Sequence, residues 1–264
     1  MGLIVAIITA IICTVVYVRM YKRELPEPAG VKRAAIPVAL GVLAVILVAP
    51  VTIFISLSVR KLLGTSVKEF FSSPILSALV RAFLLAGFTE ELVKFLMFLI
   101  TIKIVKPRNV YEYGMFCAGI GVGFTVLEDI FYGATNPITA VTRLLFFAMH
   151  MMFGLLMGIH LGFAKYSKRE GLNDAGKHIF LAFFLPVLWH TIFDSVTTVN
   201  PALDSNNDTV QMIGLIVALI VMAVSITLQF VLLIRFKKKT AEYCGMMVTD
   251  PEPADTYRNG EENG

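Results

Sequence analysis

The sequence predicts an all-α membrane protein, a polytopic helical bundle of about seven transmembrane helices. Hydrophobic residues make up 57% of its 264 residues and charged residues only 16%, whereas soluble domains are usually about 25% charged. The mean hydropathy is +0.77. The apolar residues form seven long blocks separated by short polar loops, and a helix of about 20 apolar residues crosses the hydrocarbon core of a bilayer.

The blocks follow one another without a polar segment long enough for a second folded unit. We therefore predict one membrane domain over residues 1–239, with its functional core at about 75–199. Residues 240–264 are polar, include two prolines, and are predicted to form a disordered cytoplasmic tail. The predicted spans are 3–18, 34–59, 75–105, 111–132, 143–164, 178–199 and 212–234.

The distribution of Lys and Arg predicts the orientation of the bundle. The loops and helix ends that follow the first, third, fifth and seventh spans hold 16 of these residues, and those that follow the second, fourth and sixth hold 4. Basic residues accumulate on the cytoplasmic side of a membrane. We predict an integral plasma-membrane protein with its N-terminus outside and its C-terminus in the cytoplasm. Because the basic residues are spread over loop ends, nucleic acid is not a predicted partner.

Two adjacent carboxylates, Glu90 and Glu91, lie at the centre of the third span. One charge at this depth costs at least about 2.5–3.5 kcal/mol, so such residues face polar cavities, form pairs or take part in chemistry. Lys94 follows at i+4 from Glu90 and i+3 from Glu91, spacings at which helical side chains meet. We predict a structural ion pair between Lys94 and one glutamate, and contact of the other glutamate with a histidine of the fifth span.

Three further spans place polar side chains in the central-to-outer half of the membrane. Glu128 lies near the outer end of the fourth span, His150 about two turns into the fifth, and His190 and Asp194 in the outer half of the sixth. A glutamate beside a histidine can activate water as a general base, and a second histidine with a hydrogen-bonding neighbour can stabilise an oxyanion. These groups suffice for hydrolysis of an amide bond without a covalent intermediate.

Glycines in the fourth span predict how that helix packs. Gly119 and Gly123 are four residues apart, a spacing that lets a neighbouring backbone approach closely. His160 and His178 lie near the inner face of the membrane, and we predict that both are structural or interfacial.

The polar residues belong to short motifs in a fixed order: Glu90–Glu91 with Lys94, the segment 123–128 ending in Glu128, Phe146-x-x-x-His150, and His190-x-x-x-Asp194. This order resembles the PrsW family of intramembrane proteases, within the superfamily of CAAX-type prenyl proteases and bacteriocin-processing enzymes. The resemblance implies a glutamate-dependent peptide hydrolase. Glu90 or Glu91 with His150 would activate water, His190 and Asp194 would bind the oxyanion, and Glu128 would be an accessory polar residue.

One position departs from the pattern of the wider superfamily. The first motif of that superfamily usually reads Glu-Glu-x-x-x-Arg, whereas the residue here is Phe95, preceded by Lys94. This favours the PrsW branch over the prenyl-protease branch. The natural partner that the resemblance implies is a membrane-anchored protein substrate, such as an anti-sigma factor or a similar regulator, cut toward its extracytoplasmic side.

Three alternatives remain open from the sequence. Glutamates and histidines from four helices can also bind zinc, but no HExxH motif places two ligands on one helix, so a metal-free mechanism without a cofactor is preferred. A proton- or ion-coupled transporter also uses intramembrane Glu and His. Such transporters commonly contain inverted repeats, and the Glu90–Glu91 segment has no second copy. The third alternative is a non-catalytic membrane scaffold.

Overall fold

The computed structural model describes residues 2–135, 142–198, 200–203 and 205–249. These residues are helices and loops, with one β-bridge between Asn109 and Met247, which confirms the all-α prediction. The helices are α1 (Gly2–Tyr21), α2 (Val31–Leu63), α3 (Val67–Phe70), α4 (Pro74–Ala82), α5 (Phe88–Val105), α6 (Val110–Thr135), α7 (Met149–Arg169), α8 (Ala175–Thr197), α9 (Asp208–Lys238) and α10 (Thr240–Gly245).

Six of these helices, α1, α2, α6, α7, α8 and α9, are long and apolar enough to cross a membrane. They correspond to six of the seven predicted spans. The third predicted span is also helical throughout, but it consists of α4, a π-helical turn at Phe83–Gly87, and α5. Ser73 caps the start of α4, because its side-chain oxygen accepts a hydrogen bond from the Leu76 N–H.

The π-helical turn lies directly before the paired glutamates. Thr89, in the first turn of α5, donates its hydroxyl to the Leu84 carbonyl at 2.5 Å. A π-helical turn contains an extra residue relative to an α-helix and is frequent at functional sites. The extra residue changes the direction in which every later side chain of this span points, so the faces of α5 do not follow from those of α4.

α6 is the central helix of the bundle. Residues 109–125 are buried without a break, and α6 packs against α1, α2 and α7. A Cβ atom at Gly123 would lie 2.0 Å from the Val38 carbonyl oxygen of α2, and one at Gly119 would lie 2.7 Å from the Tyr17 hydroxyl of α1. These distances confirm the predicted close approach of neighbouring helices.

α9 packs on the bundle through a single stripe and exposes apolar side chains elsewhere, as a lipid-facing helix does. The buried residues of the stripe are Gly214, Ala218, Ser225, Gln229 and Phe236.

One predicted boundary is wrong, and one predicted span is interrupted. The fifth span was expected to be helical from residue 143, and residues 142–145 are helical, but residues 146–148 form a turn before α7 begins at Met149. The disordered tail was expected from Thr240, whereas 240–245 forms α10 and the Val248 N–H donates to the Arg108 carbonyl at 2.8 Å. Tyr243 and Cys244 are buried and anchor this segment. Residues 250–264 lie outside the described part of the chain.

The end of the bundle that we predict to be cytoplasmic contains a buried carboxylate pair. Glu112 accepts from Arg33 at 3.0 Å and from Arg108 at 2.8 Å, and Arg108 also pairs with Glu24 at 2.9 Å. Burial, together with the nearby Glu112 carboxylate, raises the pKa of Glu24 from 4.5 to about 7. These contacts connect the α1–α2 loop to the start of α6.

Candidate active site

Four helices bring the predicted site residues together. The residues are Glu90, Glu91 and Lys94 on α5, Glu128 on α6, His150 on α7, and His190 and Asp194 on α8. Sequence separations of up to 99 residues are closed by direct hydrogen bonds. The predicted cluster therefore exists as a physical site, although several of its contacts differ from those expected.

Glu91 lies at the centre of the site and is fully buried. Its Oε1 accepts from the Lys94 ammonium at 2.7 Å and lies 2.8 Å from Nδ1 of His190. The ion pair predicted for Lys94 is thus made with Glu91, whereas Oε2 of Glu90 is 3.9 Å from Nζ of Lys94. A buried charge is tolerated when it is paired and hydrogen-bonded. Lys94 is the counter-ion of Glu91, and both Lys94 and His190 lie at hydrogen-bond distance from it.

His150 has both ring nitrogens engaged. Nδ1 lies 3.0 Å from Nζ of Lys94, and Nε2 lies 2.7 Å from Oε2 of Glu128. Because an ammonium group only donates hydrogen bonds, Nδ1 is the acceptor and the ring proton lies on Nε2, which donates to Glu128. The expected contact of His150 with Glu90 or Glu91 is therefore replaced by contacts with Lys94 and Glu128.

Glu90 has an oxygen without a hydrogen-bond partner among the described residues. Its Oε2 is buried, 3.9 Å from Nε2 of His190 and 3.9 Å from Nζ of Lys94. Oε2 of Glu91 is also buried without a partner, but Glu91 is held through Oε1, whereas Glu90 makes no hydrogen bond with any described residue. Burying an unpaired carboxylate oxygen is costly, and Glu90 is the less constrained of the two glutamates for binding a further proton donor.

Asp194 lies at the edge of the site beside His190. Its Oδ2 is 3.7 Å from Nε2 of His190, too far for a hydrogen bond, and Oδ1 accepts from the Thr198 hydroxyl at 3.4 Å. The i, i+4 spacing correctly predicted that the two side chains share a face. The hydrogen bond that this spacing also allowed between His190 and Asp194 is not formed in this structure.

Aromatic rings line the site on the α6 and α7 side. Nζ of Lys94 is 4.3 Å from the centre of the Phe124 ring, and Phe153 stacks on His190 with ring centres 5.1 Å apart. Rings at this position exclude water, which strengthens the charged contacts of Lys94 and of Glu91.

Sequence reasoning missed Arg143. Its guanidinium donates to both Glu128 and Asp129 and lies 4.7 Å from the centre of the Tyr132 ring. In the sequence this arginine marks only the start of the fifth span. Two adjacent acids, Glu128–Asp129, followed by a lone basic residue before the next span were the signal that could have identified the pair.

Gln229 of α9 was also missed. This fully buried amide accepts from the Ala148 N–H at 3.2 Å and donates to the Leu145 carbonyl at 2.7 Å. It therefore holds the 146–148 turn that leads into His150. The available signal was a lone amide side chain in an apolar span that carries no charge.

His150 is further positioned by the contact between α6 and α7. A Cβ atom at Gly121 would lie 2.2 Å from the His150 carbonyl oxygen. Glycine at this position lets the backbone of α7 reach α6. His160 and His178, in contrast, lie outside the site, 3.0 Å apart between their Nδ1 atoms, and the prediction that they are structural stays a prediction.

A known protein family matches the part of the chain that contains the site. The chain matches the family described as "PrsW family intramembrane metalloprotease" over residues 34–228, which include all four site helices. The chain belongs to the PrsW family. No solved structure matches the chain.

Named PrsW relatives are similar to slightly less than half of the chain. The protease PrsW of Halalkalibacterium halodurans is 34% identical over 130 residues, 48% of this chain and 57% of the relative. That of Oceanobacillus iheyensis is 32% identical over 123 residues, 46% of this chain and 55% of the relative. That of Bacillus subtilis is 29% identical over 123 residues, 44% and 54%. The chain thus spans about half the length of the curated relatives that it matches.

The description of the PrsW family names a metal, and one group of side chains in this chain has suitable ligand types. Glu90, Glu128 and His150 each offer a ligand atom, and these atoms all lie within 4.8 Å of one another. Three protein ligands and an open position are typical of catalytic zinc. A metal-bound histidine, however, donates its second ring N–H to an acceptor, whereas Nδ1 of His150 faces the Lys94 ammonium at 3.0 Å. As arranged, the three residues do not fit a zinc ion bound through His150.

Proposed function

We propose that this protein is a glutamate-dependent intramembrane endopeptidase that works without a metal. The observation that supports this proposal most strongly is the pairing of the two glutamates with different partners. Both glutamates have a buried Oε2 without a hydrogen-bond partner, but Glu91 is held through its Oε1 by Lys94 and His190, whereas Glu90 makes no hydrogen bond with any described residue. One carboxylate is thus fixed as part of the framework, and the other can accept a proton.

In the proposed reaction, Glu90 removes a proton from a water molecule, and the water oxygen attacks the carbonyl carbon of the peptide bond. When His190 carries both ring protons, Nδ1–H donates to Glu91 and Nε2–H can donate to the oxyanion that forms. The C–N bond then breaks, and Glu90 returns the proton to the amine nitrogen. The products are a carboxylic acid and an amine, and transfer of the remaining proton from the acid to the amine gives a carboxylate and an ammonium group.

The other side chains have positioning roles in this proposal. His150 connects Lys94 to Glu128 through its two ring nitrogens and so positions the ammonium group that holds Glu91, and Arg143 fixes Glu128. Asp194 acts on His190 and does not bind the oxyanion itself, because an ionised carboxylate repels an oxyanion. This changes the role that the family resemblance implies for Asp194.

The proposed substrate is a membrane-anchored protein, such as an anti-sigma factor or a similar regulator, cut toward its extracytoplasmic side. Support comes from the distribution of Lys and Arg, which predicts that the ends of α6 and α8 nearest to Glu128 and Asp194 lie outside the cytoplasm. The same distribution supports a plasma-membrane location with the N-terminus outside.

Cleavage of tagged single-span proteins by the purified chain in liposomes tests the proposal. Glu90→Gln keeps the shape of the side chain but cannot act as a base, and we expect a rate at least about 100-fold lower with an unchanged fold. Glu69→Gln is the matched control, because Glu69 is exposed on α3 outside the site. A wild-type rate in Glu90→Gln would contradict the proposed role of Glu90. Failure of the wild-type chain to cleave any substrate would favour the transporter or scaffold.

The second candidate is a zinc-dependent protease with Glu90, Glu128 and His150 as ligands, favoured by the donor cluster and by the family description. Zinc would supply a polarised, more acidic water there. If His150 is a zinc ligand, the Lys94 ammonium group has to move away from Nδ1 of His150. A crystal structure or an X-ray absorption spectrum of zinc-loaded protein that shows His150 as a ligand would decide in its favour.

A further inference from the structure

A cavity lies away from the glutamates, between the end of α2, the short helix α3, and the α4–π-helix junction. Its volume is about 400 Å³, within the usual range for small-molecule sites of about 300–1,000 Å³. By the distribution of Lys and Arg it lies on the predicted outer side. None of the side chains that form it takes part in the proposed hydrolysis.

Three cations surround this cavity: Arg60 at the end of α2, Lys68 on α3, and Arg81 in the last turn of α4. None of them forms a salt bridge with any residue that the structure describes. Glu69 interacts electrostatically with Arg60 and accepts hydrogen bonds from the Thr65 hydroxyl and the Ser66 N–H, so one carboxylate stands against three cations. The surroundings of the cavity therefore keep an excess of positive charge.

The remaining lining is largely apolar, with only two hydroxyl side chains. It comprises Val59, Val67, Leu84 and Leu85, together with Ser56 and Ser66. Nearby Leu62, at 84% exposure, faces outward as a lipid-contacting residue would. A peptide would need partners for its backbone N–H and C=O groups, which this lining hardly offers. A phospholipid needs only basic side chains for its phosphate and apolar side chains for its acyl chains.

We propose that this cavity binds one anionic phospholipid, with the phosphate between Arg60, Lys68 and Arg81 and an acyl chain against Leu84 and Leu85. Arg and Lys bind phosphate oxygens through charge-assisted hydrogen bonds, and long basic side chains at helix ends reach the headgroup region while their stems stay on apolar surface. The basic side chains and the apolar lining are adjacent in this cavity. One lipid molecule can therefore bind its phosphate to the basic side chains and its acyl chain to the apolar lining.

The location gives this site a connection to the glutamates. Leu84 and Leu85 belong to the π-helical turn that runs directly into α5, and the Leu84 carbonyl accepts from Thr89, next to Glu90. A lipid in this cavity therefore contacts the same turn that sets the direction of the paired glutamates.

Mass spectrometry of the intact chain released from micelles tests the proposal, because bound lipids are counted directly and no proteolytic activity is needed. The protein is titrated with phosphatidylglycerol or with phosphatidylcholine of the same acyl chains. We expect tighter binding of phosphatidylglycerol, and about 30-fold weaker binding in the Arg60→Gln/Arg81→Gln variant, since each basic residue near an anionic surface contributes about a factor of five.

Lys61→Gln is the matched control, because Lys61 neighbours Arg60 but does not line the cavity. Lys68→Gln, an exposed change on a short helix, provides a second variant that should weaken binding about fivefold. Equal binding of the two lipids would overturn the proposal, as would an equal loss in Lys61→Gln. Complete displacement of phosphatidylglycerol by glycerol phosphate would mean a phosphate site, and displacement only by an acidic peptide would mean a peptide site.

Discussion

Replacing Gly121 by Ala should disrupt the site without touching any of its polar side chains. The new Cβ would lie 2.2 Å from the His150 carbonyl oxygen, 2.5 Å from its carbonyl carbon and 2.6 Å from the Met151 nitrogen. All three are backbone atoms, so no side chain can rotate away. α6 and α7 have to part by about 1 Å to restore ordinary van der Waals contact.

That displacement has two measurable consequences. Overpacking of this kind destabilises a protein by about 1–3 kcal/mol. Misplacing a catalytic geometry by about 1 Å reduces the rate on the order of 100-fold, and His150 moves with its backbone relative to Lys94 and Glu128. We therefore expect Gly121→Ala to lower both the thermal unfolding temperature in detergent and the rate of cleavage of a single-span substrate in liposomes.

Gly176→Ala is the matched control for this experiment. Gly176 also lies in a helix, but nothing is within 4 Å of a Cβ built there. Alanine is favoured over glycine in a helix by about 1 kcal/mol, so this variant should be at least as stable as the wild type and equally active. Gly121→Ala with an unchanged unfolding temperature and a rate within a factor of two of the wild type would refute the reasoning.

Three further changes test other contacts. Lys94→Met leaves Glu91 without its cation, and we expect a loss of about 3–5 kcal/mol in the free energy of unfolding. The same change removes the ammonium group from Nδ1 of His150, so we expect tighter zinc binding in calorimetry. Gln229→Leu leaves Ala148 N–H and the Leu145 carbonyl without partners, and the unfolding free energy should fall by about 1–3 kcal/mol. Glu24→Gln should flatten the pH dependence of the unfolding temperature, measured from about pH 5 to about pH 8.

The sign of the Glu24 effect follows from the raised pKa. A carboxyl whose pKa rises from 4.5 in the unfolded chain to about 7 in the folded one binds its proton more tightly when folded. Its contribution to stability is therefore lost as the pH rises through this interval. A glutamine has no such titration. Wild type and Glu24→Gln with equal slopes would show that Glu24 is not the titrating group.

The other two predictions have controls in the same chain. Zinc affinity that is unchanged or weaker in Lys94→Met would contradict the argument that Lys94 opposes metal binding at His150. Gln211→Ala is the control for Gln229, because Gln211 is an exposed amide near the start of the same helix; exposed changes usually alter stability by less than about 0.5 kcal/mol. A loss in Gln229→Leu no larger than that of Gln211→Ala would contradict the anchoring role of Gln229.

The bundle could be predicted from the sequence because the signals are local. Hydropathy marked the spans, and the spacing of Gly119 and Gly123 correctly marked a close helix contact. The turn inside the fifth span was missed because Phe146 and Phe147 are apolar whether they lie in a helix or in a turn. α10 was missed because its polar composition hides two buried side chains, Tyr243 and Cys244.

The site residues were identified from their depth, but their pairing was not. Rotation of α5 depends on the π-helical turn at Phe83–Gly87, which no residue spacing indicates. For this reason the sequence did not show which glutamate pairs with Lys94. It also did not show that His150 contacts Glu128. Arg143 was missed because a basic residue at the start of a span is equally expected from topology alone. Whether the grouped residues catalyse hydrolysis stays a prediction.

The central claim is that Glu90 drives peptide hydrolysis at this site without a metal. The most direct measurement is cleavage of a tagged single-span substrate in liposomes by protein stripped of metal and kept in a strong zinc chelator, beside Glu90→Gln prepared in the same way. We predict that the stripped wild-type protein cleaves at its original rate and that Glu90→Gln does not cleave. Loss of cleavage in the chelator, with recovery when zinc is added, would contradict the claim.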